Sequence, residues 1–293
     1  SRGHTRARAG ICGNESAGGR DDCAVSHWGS AMTDKLKVLD LFSGIGGFSL
    51  GLERTGGFET VAFCEIEPFP RKVLAKHWPE VPCYEDVTKL TGDILRRDGI
   101  SVDVITGGFP CQDISVAGKQ AGIGEGTRSG LWSECERLLS ELRPQYAIFE
   151  NVTNLLSGPS EQPGGWFSRI LCDLAEIGYD AEWHNIPSSF IGGWSERSRA
   201  WLLAYPAEKF GERSALHPIF RQSSLSVELC GGVEEWPGRS ALPAARFCRA
   251  GHGVPDRMDR IAGIGNAVDP RIPELIGRAI LAHPMTPERG TAA

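Results

Sequence analysis

Residues 37–47 read KVLDLFSGIGG, and this stretch decides the fold. The largely apolar run Lys37–Phe42 predicts a buried β-strand, because strands covered on both faces are nearly continuously hydrophobic. The glycines after it let the backbone turn sharply and approach a ligand closely. A helix is predicted from Phe48 to Arg54, and its free N–H groups would face the same ligand. The stretch favours a binding loop, with an ordinary tight turn as the alternative.

The alternation of strand and helix continues to about Pro206. Further strands are predicted at Thr60–Cys64, Val102–Ile105, Tyr146–Phe149 and Trp201–Tyr205, and helices at Pro70–His77, Gly130–Leu142 and Glu274–Ala282. Such alternation is typical of parallel sheets with helices on both faces. We therefore predict an α/β fold with a doubly wound, mostly parallel, Rossmann-like sheet and a small irregular lobe.

The domain organisation is predicted from where this pattern starts and stops. Residues 1–33 are rich in Gly, Arg and Ser and lack apolar periodicity, so we interpret them as a disordered leader or upstream sequence. The main domain is expected over residues 34–206 and the irregular lobe over 207–255. A segment at 256–283 is expected to return to the main domain, and a tail follows at 284–293.

The composition is that of a globular protein with free thiols. The chain has 293 residues, nine cysteines and a formal net charge of −6. The cysteines form no CxxC pair, so we expect a reduced, cytoplasmic protein with neither a disulfide framework nor a metal site. There is no run of about 18 apolar residues, the length that a membrane-spanning helix needs. The negative net charge argues against non-specific binding to nucleic acid.

Acidic residues follow the second and third extended stretches. Glu65 ends the strand predicted at Thr60–Cys64, where a carboxylate can accept both hydroxyls of a ribose. Asp86 comes after a short extended stretch and can accept a hydrogen bond from an adenine amino group. Together with the glycine-rich turn, these residues indicate a cofactor that contains adenosine.

A cysteine stands just beyond the strand predicted at Val102–Ile105. Cys111 lies in a loop flanked by glycine and proline, at the end of the strand where open α/β sheets bind their ligands. The loop after it is rich in glycine and carries Lys119 and Arg128, which favours a lid that closes over a phosphate backbone. This context favours a nucleophile, with a structural thiol and a disordered insertion as the alternatives.

Three further motifs carry polar groups. Glu150 ends the strand predicted at Tyr146–Phe149, and a carboxyl in a desolvated cleft can act as a general acid. Arg197 and Arg199 are two residues apart on an extended segment, so they point to the same side. Residues 265–270, GNAVDP, form a turn before the last helix. A surface glutamate and arginines that face water are the alternative interpretations.

In this order, the motifs closely resemble those of the cytosine-5 DNA methyltransferase family. The matching residues are 40–47 (DLFSGIGG), 108–112 (GFPCQ), 150–152 (ENV), Arg197-x-Arg199 and 265–268 (GNAV). The resemblance covers about residues 36–206 and 257–281. It implies a methyltransferase that uses S-adenosylmethionine as cofactor and double-stranded DNA as substrate. A monomer is expected, with a cognate restriction endonuclease as a further partner.

The resemblance also implies a role for each matching residue. The catalytic residues would be Cys111 as nucleophile, Glu150 as acid, and Arg197 and Arg199 as contacts to the cytosine. The cofactor would be bound by Phe42, Gly44, Gly46, Gly47, Glu65, Ile66, Asp86, Val87, Pro110, Leu131, Asn266 and Val268. Contacts to DNA are expected at Gln112, Ser115, Lys119 and Arg128.

The chemistry of such an enzyme explains why these residue types are needed. Carbon 5 of cytosine becomes nucleophilic only after a thiolate has added to carbon 6 of the ring. A glutamate with a raised pKa can then relieve the charge that develops at ring nitrogen 3. Because carbon 6 is inaccessible inside a duplex, the base must be flipped out.

The chain departs from the family pattern in two places. Ser195 stands where the family usually has a glutamine, and only residues 207–255 are available for target recognition. The alternatives to a DNA enzyme are a cytosine-5 RNA methyltransferase of the same fold and a catalytically inactive relative that binds DNA or a partner. A small-molecule methyltransferase would explain the cofactor motifs but not the loop around Cys111.

Overall fold

A computed structural model of the chain describes residues 34–110, 131–158, 165–188, 197–209 and 266–282. Five of the predicted site residues lie outside these ranges, namely Cys111, Gln112, Ser115, Lys119 and Arg128. The predicted leader, nearly all of the predicted recognition lobe and the tail also lie outside them. The roles assigned to these segments stay predictions.

Seven strands and seven α-helices are described. The strands are β1 (Leu36–Leu41), β2 (Phe58–Cys64), β3 (Cys83–Tyr84), β4 (Val104–Gly107), β5 (Tyr146–Val152), β6 (Tyr179–Pro187) and β7 (Ser198–Pro206). The helices are α1 (Gly47–Glu53), α2 (Pro68–His77), α3 (Gly92–Arg97), α4 (Trp132–Leu142), α5 (Asn154–Ser157), α6 (Gly165–Glu176) and α7 (Arg271–Ala282), and a 3-10 turn spans Ala207–Lys209. None of these helices is long and apolar enough to cross a membrane.

The strands form one mixed sheet in the order β3-β2-β1-β4-β5-β7-β6. Strands β1 to β5 pair in parallel, which confirms the predicted doubly wound, mostly parallel sheet. Strand β7 runs antiparallel to both β5 and β6. Its first residues therefore lie at the same edge of the sheet as the carboxyl ends of the parallel strands, with Arg199 paired to Val152.

Several predicted boundaries were wrong. The prediction assigned no strand to Tyr179–Pro187, and it placed Arg199 before the last strand, whereas Arg199 lies inside β7. The fourth strand begins at Val104 rather than Val102, and the final helix begins at Arg271 rather than Glu274. The helix extends past the expected start because Pro273 falls in its first turn, where the missing N–H is not needed.

Helices cover both faces of the sheet. On one face, α4 and α6 bury residues such as Trp132, Leu138 and Ile170 against β4 and β5. On the other, α1 and α7 bury Phe48 and Ile276 against β1, β5 and β7. Both faces of the central strands are therefore shielded from water, which explains their nearly continuous hydrophobic sequence.

The final helix lies against α1, beside the glycine-rich turn. A Cβ on Gly51 would approach the carbonyl oxygen of Pro270 to 2.1 Å, and one on Gly47 would approach that of Val268 to 2.5 Å. Only glycine permits this contact, because a real Cβ cannot come so close to a backbone atom. The close packing places residues 266–268 next to the turn after β1.

Candidate functional site

An open cavity of about 900 Å³ lies at the carboxyl edge of the parallel strands. It is lined by Phe42, Gly44, Cys64, Glu65, Ile66, Glu67, Phe69, Pro70, Glu85, Asp86, Val87, Thr88, Gly108, Phe109, Pro110, Leu131, Glu150, Asn151, Val152, Arg197, Arg199 and Asn266. Ligands of open α/β sheets bind at this edge. The cavity therefore brings the turn after β1, the end of β2 and the ends of β4 and β5 into one site.

The carboxylate of Glu65 is held in place by the backbone at one end of this cavity. The backbone N–H of Gly44 donates to its Oε2 atom over 2.7 Å, and that of Glu67 donates to Oε1 over 2.8 Å. The residue is only 7% exposed. Since each carboxylate oxygen has two lone pairs, both oxygens can accept one further hydrogen bond from a ligand.

The turn after β1 has an unusual backbone. Phe42 has a φ of 50° although it has a side chain, and it lines the cavity. This left-handed conformation is costly for an aromatic residue and is found mainly where a functional site requires it. The hydroxyl of Ser43 donates to the Asp40 carbonyl at 2.5 Å and accepts from the backbone N–H of Cys64 at 3.3 Å. These bonds tie the turn to the end of β2.

A second group of residues lies beyond Glu65. Ile66 is 66% exposed, which is unusual for a large apolar side chain, and it lines the cavity, as Val87 does. Asp86 accepts hydrogen bonds from the hydroxyl and the backbone N–H of Thr88 and pairs with Lys89 at 3.2 Å. The bonds from Thr88, more than the charge of Lys89, hold the pKa of Asp86 below its usual value.

Glu150 and two arginines form the other end of the cavity. The Nε atom of Arg199 lies 2.9 Å from Oε1 of Glu150, and both side chains are largely buried. Burial raises the pKa of Glu150, while the charges of Arg199 and Arg197 oppose this rise. Arg197 donates to the backbone carbonyl of Ala267 over 3.1 Å, which links it to the segment before α7.

The loop that leads to Cys111 is packed against these residues. A Cβ on Gly108 would lie 3.3 Å from Oε2 of Glu150, so the backbone passes directly over this carboxyl. The side-chain amide of Asn151 donates to the Phe109 carbonyl over 3.2 Å. Pro110 lines the cavity, and Cys111 follows it outside the described residues.

Cys64 also lines the cavity, but its chemistry is unsuited to attack. It is 2% exposed, and burial raises the pKa of its thiol to about 12. The nucleophile in thiol chemistry is the thiolate, which Cys64 does not form near neutral pH. Among the described residues, no group of three His, Cys, Asp or Glu side chains is suited to hold a metal ion.

The sequence of this chain matches a known family model. Residues 36–226, more than half of the chain, match the model of the C-5 cytosine-specific DNA methylases. The chain belongs to this family. Type II methyltransferase M.Sau3AI of Staphylococcus aureus is 34% identical over 211 residues, which cover 67% of this chain and 50% of the relative. Type II methyltransferase M2.BsuMI of Bacillus subtilis is 36% identical over 173 residues, covering 58% and 42%.

The fold of a solved structure agrees with this assignment. A protein from E. coli described as a DNA modification methyltransferase encoded within a prophage has 28% sequence identity and a TM-score of 0.50. The match covers 59% of this chain and 47% of that one. The chain thus spans about half the length of the relatives that it matches.

Most site residues expected for a C-5 cytosine methylase line the one cavity. It brings together Phe42, Gly44, Glu65, Ile66, Asp86, Val87, Pro110, Leu131, Glu150, Arg197, Arg199 and Asn266. Gly46, Gly47 and Val268 are not among the lining residues. Gly46 has a φ of 85° and packs against Trp78, while Gly47 packs against Val268. In the described structure, these glycines therefore allow the turn to pack closely against its neighbours. Their predicted contacts with the cofactor stay predictions.

Two features of the methylase site were missed by the sequence reasoning. Asn151 supports the loop before Cys111, and its only signal was its place next to Glu150. The residues Glu67, Phe69, Pro70, Glu85 and Thr88 also line the cavity. Glu67, Glu85 and Thr88 follow strand ends, as Glu65 does, and this position was the signal available in the sequence.

Proposed function

We propose that this chain methylates carbon 5 of a cytosine flipped out of double-stranded DNA, with S-adenosylmethionine as cofactor and Cys111 as the covalent nucleophile. The observation that carries the proposal is the shared cavity, which has a backbone-held carboxylate at one end and the Glu150–Arg199 pair at the other. The family membership supplies the reaction type.

The residues at the Glu65 end fit an adenosine-containing cofactor. Glu65 has lone pairs left for the two ribose hydroxyls, and the exposed Ile66 offers an apolar surface for the adenine ring. Asp86 and Val87 would meet the edge of the ring, with Phe42, Gly44, Pro110, Leu131 and Asn266 completing the pocket. The bound cofactor supplies an electrophilic methyl group.

The residues at the Glu150 end fit a pyrimidine. The thiolate of Cys111 would add to carbon 6, which raises the electron density at carbon 5. Glu150 would donate its proton to ring nitrogen 3, and its burial favours the protonated form that this step needs. Arg199 and Arg197 would orient the base and Glu150. Once carbon 5 has formed its bond to the methyl group, loss of the carbon-5 proton to solvent and departure of the thiolate restore the aromatic ring.

DNA is favoured as the substrate by the matching family model, which describes C-5 cytosine-specific DNA methylases. Flipping a base out of the duplex costs a few kcal/mol, which contacts to the DNA around the flipped base must offset. We assign these contacts to Gln112, Ser115, Lys119 and Arg128. A monomeric, cytoplasmic enzyme with a cognate restriction endonuclease completes the proposal.

Methyl transfer from a labelled donor tests the proposal directly. We expect label in duplex DNA, none in tRNA, and none in either with Cys111→Ser. Cys172→Ser is a matched control, because Cys172 is an exposed cysteine on α6 outside the cavity, and it should retain activity.

Duplex DNA that contains 5-fluorocytosine provides an independent test of covalent catalysis. Because fluorine cannot leave as a proton, we expect a stable adduct with wild-type protein and with Cys172→Ser but not with Cys111→Ser. Turnover by Cys111→Ser, or an active enzyme that forms no adduct, would contradict the assigned nucleophile. Label in tRNA alone would make the chain an RNA enzyme.

A further inference from the structure

The guanidinium of Arg137, on α4, connects this helix to the segment that carries Asp86 and Val87. Its Nη2 atom donates to the backbone carbonyl of Val87 over 3.1 Å and to that of Leu90 over 2.8 Å. The two partners lie 50 and 47 residues away in sequence, so the bonds join distant parts of the chain. Arg137 itself does not line the cavity.

Two glutamates of the same helix fix the orientation of this guanidinium. Glu134 accepts from Nε and Nη2 at 2.9 and 2.7 Å, and Glu141 accepts from Nη1 at 2.9 Å. The planar guanidinium presents its donors in a rigid fork, so these bonds aim Nη2 at the two carbonyls. Glu141 also accepts from the backbone N–H of Gly92 over 2.6 Å.

Helix α4 therefore holds residues 87–92 at three backbone positions. At the start of this segment, Asp86, Val87 and Thr88 line the cavity. The segment also has bonds of its own, since the backbone N–H groups of Lys89 and Leu90 both donate to the Asp86 carbonyl. Loss of Arg137 should consequently displace the turn without unfolding it.

We propose that Arg137 is a positioning residue that sets the adenine side of the cofactor pocket. It would act by holding the backbone of Val87 and Leu90 so that the Asp86 carboxylate faces the adenine amino group. This inference rests on the proposed function, because it assumes that an adenosine cofactor occupies the Glu65 end of the cavity. Arg137 would therefore contribute to the affinity for the cofactor and to the selectivity for adenine, and it would have no part in the methyl-transfer step.

The test compares the binding of two ligands to the full chain by calorimetry. S-adenosyl-L-homocysteine carries the amino group, and S-inosyl-L-homocysteine has a carbonyl oxygen in its place. Wild-type protein should prefer the adenosyl ligand, since the carbonyl would face the Asp86 carboxylate. Arg137→Gln should raise the Kd of the adenosyl ligand by about tenfold and that of the inosyl ligand much less, because the hydrogen bonds from the charged guanidinium to the two carbonyls are lost.

Steady-state kinetics provide the second readout. In Arg137→Gln, the KM for S-adenosylmethionine should rise by about tenfold while kcat changes by less than about twofold. Arg137→Lys should recover part of the affinity, because an ammonium can still reach a carbonyl. Arg96→Gln is the control: Arg96 is exposed, lies near Glu141 and pairs with Asp93, and the variant should behave as wild type.

Each contrary result has a distinct meaning. Wild-type affinity and selectivity in Arg137→Gln would overturn the positioning role, as would equal weakening of both ligands or a fall in kcat as large as the rise in KM. If Arg137→Gln does not fold, Arg137→Lys decides, and wild-type affinity for the adenosyl ligand in this variant overturns the role. A wild-type chain that binds neither ligand would instead refute the proposed function, and the inference with it.

Discussion

Glu65 and Glu150 are buried carboxyls at opposite ends of one cavity, and they are held in different ways. Glu65, just after β2, accepts two hydrogen bonds from backbone N–H groups of its own turn and of the turn after β1. Glu150, within β5, is paired with the side chain of Arg199 on the neighbouring antiparallel strand. The first is bound by a fixed backbone and the second by a side chain that can move.

The two arrangements suit different functions, a fixed hydrogen-bond acceptor at Glu65 and a proton donor at Glu150. Backbone donors stay in place and fix the orientation of the Glu65 carboxylate, which suits a permanent acceptor for ligand hydroxyls. At Glu150, burial raises the pKa and the two arginines oppose it, so the balance can change when a base enters the cavity. A group in such a balance is suited to donate a proton. The predictions below test this division.

The largest effect is expected for Glu150→Gln. The amide keeps the shape of the side chain but cannot donate the required proton, so the rate of methyl transfer should fall by about 10²- to 10⁴-fold. Affinity for S-adenosyl-L-homocysteine should be unchanged, because the Glu65 end is intact. Single-turnover rates and calorimetry measure the two quantities. An unchanged rate of methyl transfer, or a loss of affinity for S-adenosyl-L-homocysteine, would contradict the assignment of separate functions to the two ends of the cavity.

A third buried carboxyl, Asp40 in β1, extends the comparison to stability. It is fully buried and does not line the cavity, and it accepts hydrogen bonds from the hydroxyls of Ser49 and Thr106 at 2.8 Å. Burial raises its pKa to about 7, although these hydroxyls lower it. Since the folded pKa exceeds the unfolded value, the folded protein binds the proton more tightly. Stability is therefore lost as the pH rises from about 4 towards about 7.

Asp40→Asn should remove this dependence on pH. Like the protonated carboxyl, the asparagine is uncharged and has an acceptor oxygen on one side and a donor group on the other, here an NH2 with two N–H donors, and the hydroxyls can rotate to match it. Denaturant titrations of the wild type between pH 4 and pH 7 should show a loss of a few kcal/mol that is much smaller in the variant. Equal slopes with pH in the two proteins would show that Asp40 is ionised in the folded state.

Glu65→Gln should weaken the binding of the cofactor and leave the rate of methyl transfer nearly unchanged. The new amide group would face a backbone N–H, from either Gly44 or Glu67, and lose one hydrogen bond to an ionised acceptor. The Kd for S-adenosyl-L-homocysteine should rise by about ten- to a hundredfold, with kcat at saturating cofactor nearly unchanged. Glu150→Gln is the reciprocal control. A Kd that stays at the wild-type value would remove Glu65 from the cofactor site.

The sequence was sufficient to predict most of the parallel part of the sheet and the position of Glu65 and Glu150 at strand ends that line the cavity, because buried strands are continuously apolar and these residues follow such runs. The roles of both residues stay predictions. Strand β6 was missed because it lies at the edge of the sheet, where exposed polar residues such as Asp180 and Asn185 interrupt the apolar pattern. The ion pair of Glu150 with Arg199 could not be predicted, because the sequence does not show that β7 runs antiparallel to β5. Arg137 has backbone carbonyls as partners, and these leave no signal in the sequence.

The smallest effect is expected from the ion pair itself. The positive charge of Arg199 lowers the pKa of Glu150, so Arg199→Gln should raise that pKa further. If the protonated acid is the active form, the rate falls as the pH rises through this pKa. The fall should therefore occur at a higher pH in the variant, even though its maximal rate is lower because the base is oriented less well. Single-turnover rates at saturating cofactor between pH 5 and pH 9 measure this midpoint, with Arg96→Gln as a control that should match the wild type. A midpoint that stays in place or moves to lower pH would show that Glu150 is not the titrating acid. Glu65 and Glu150 would then differ only in the groups that hold them, and not in their part in proton transfer.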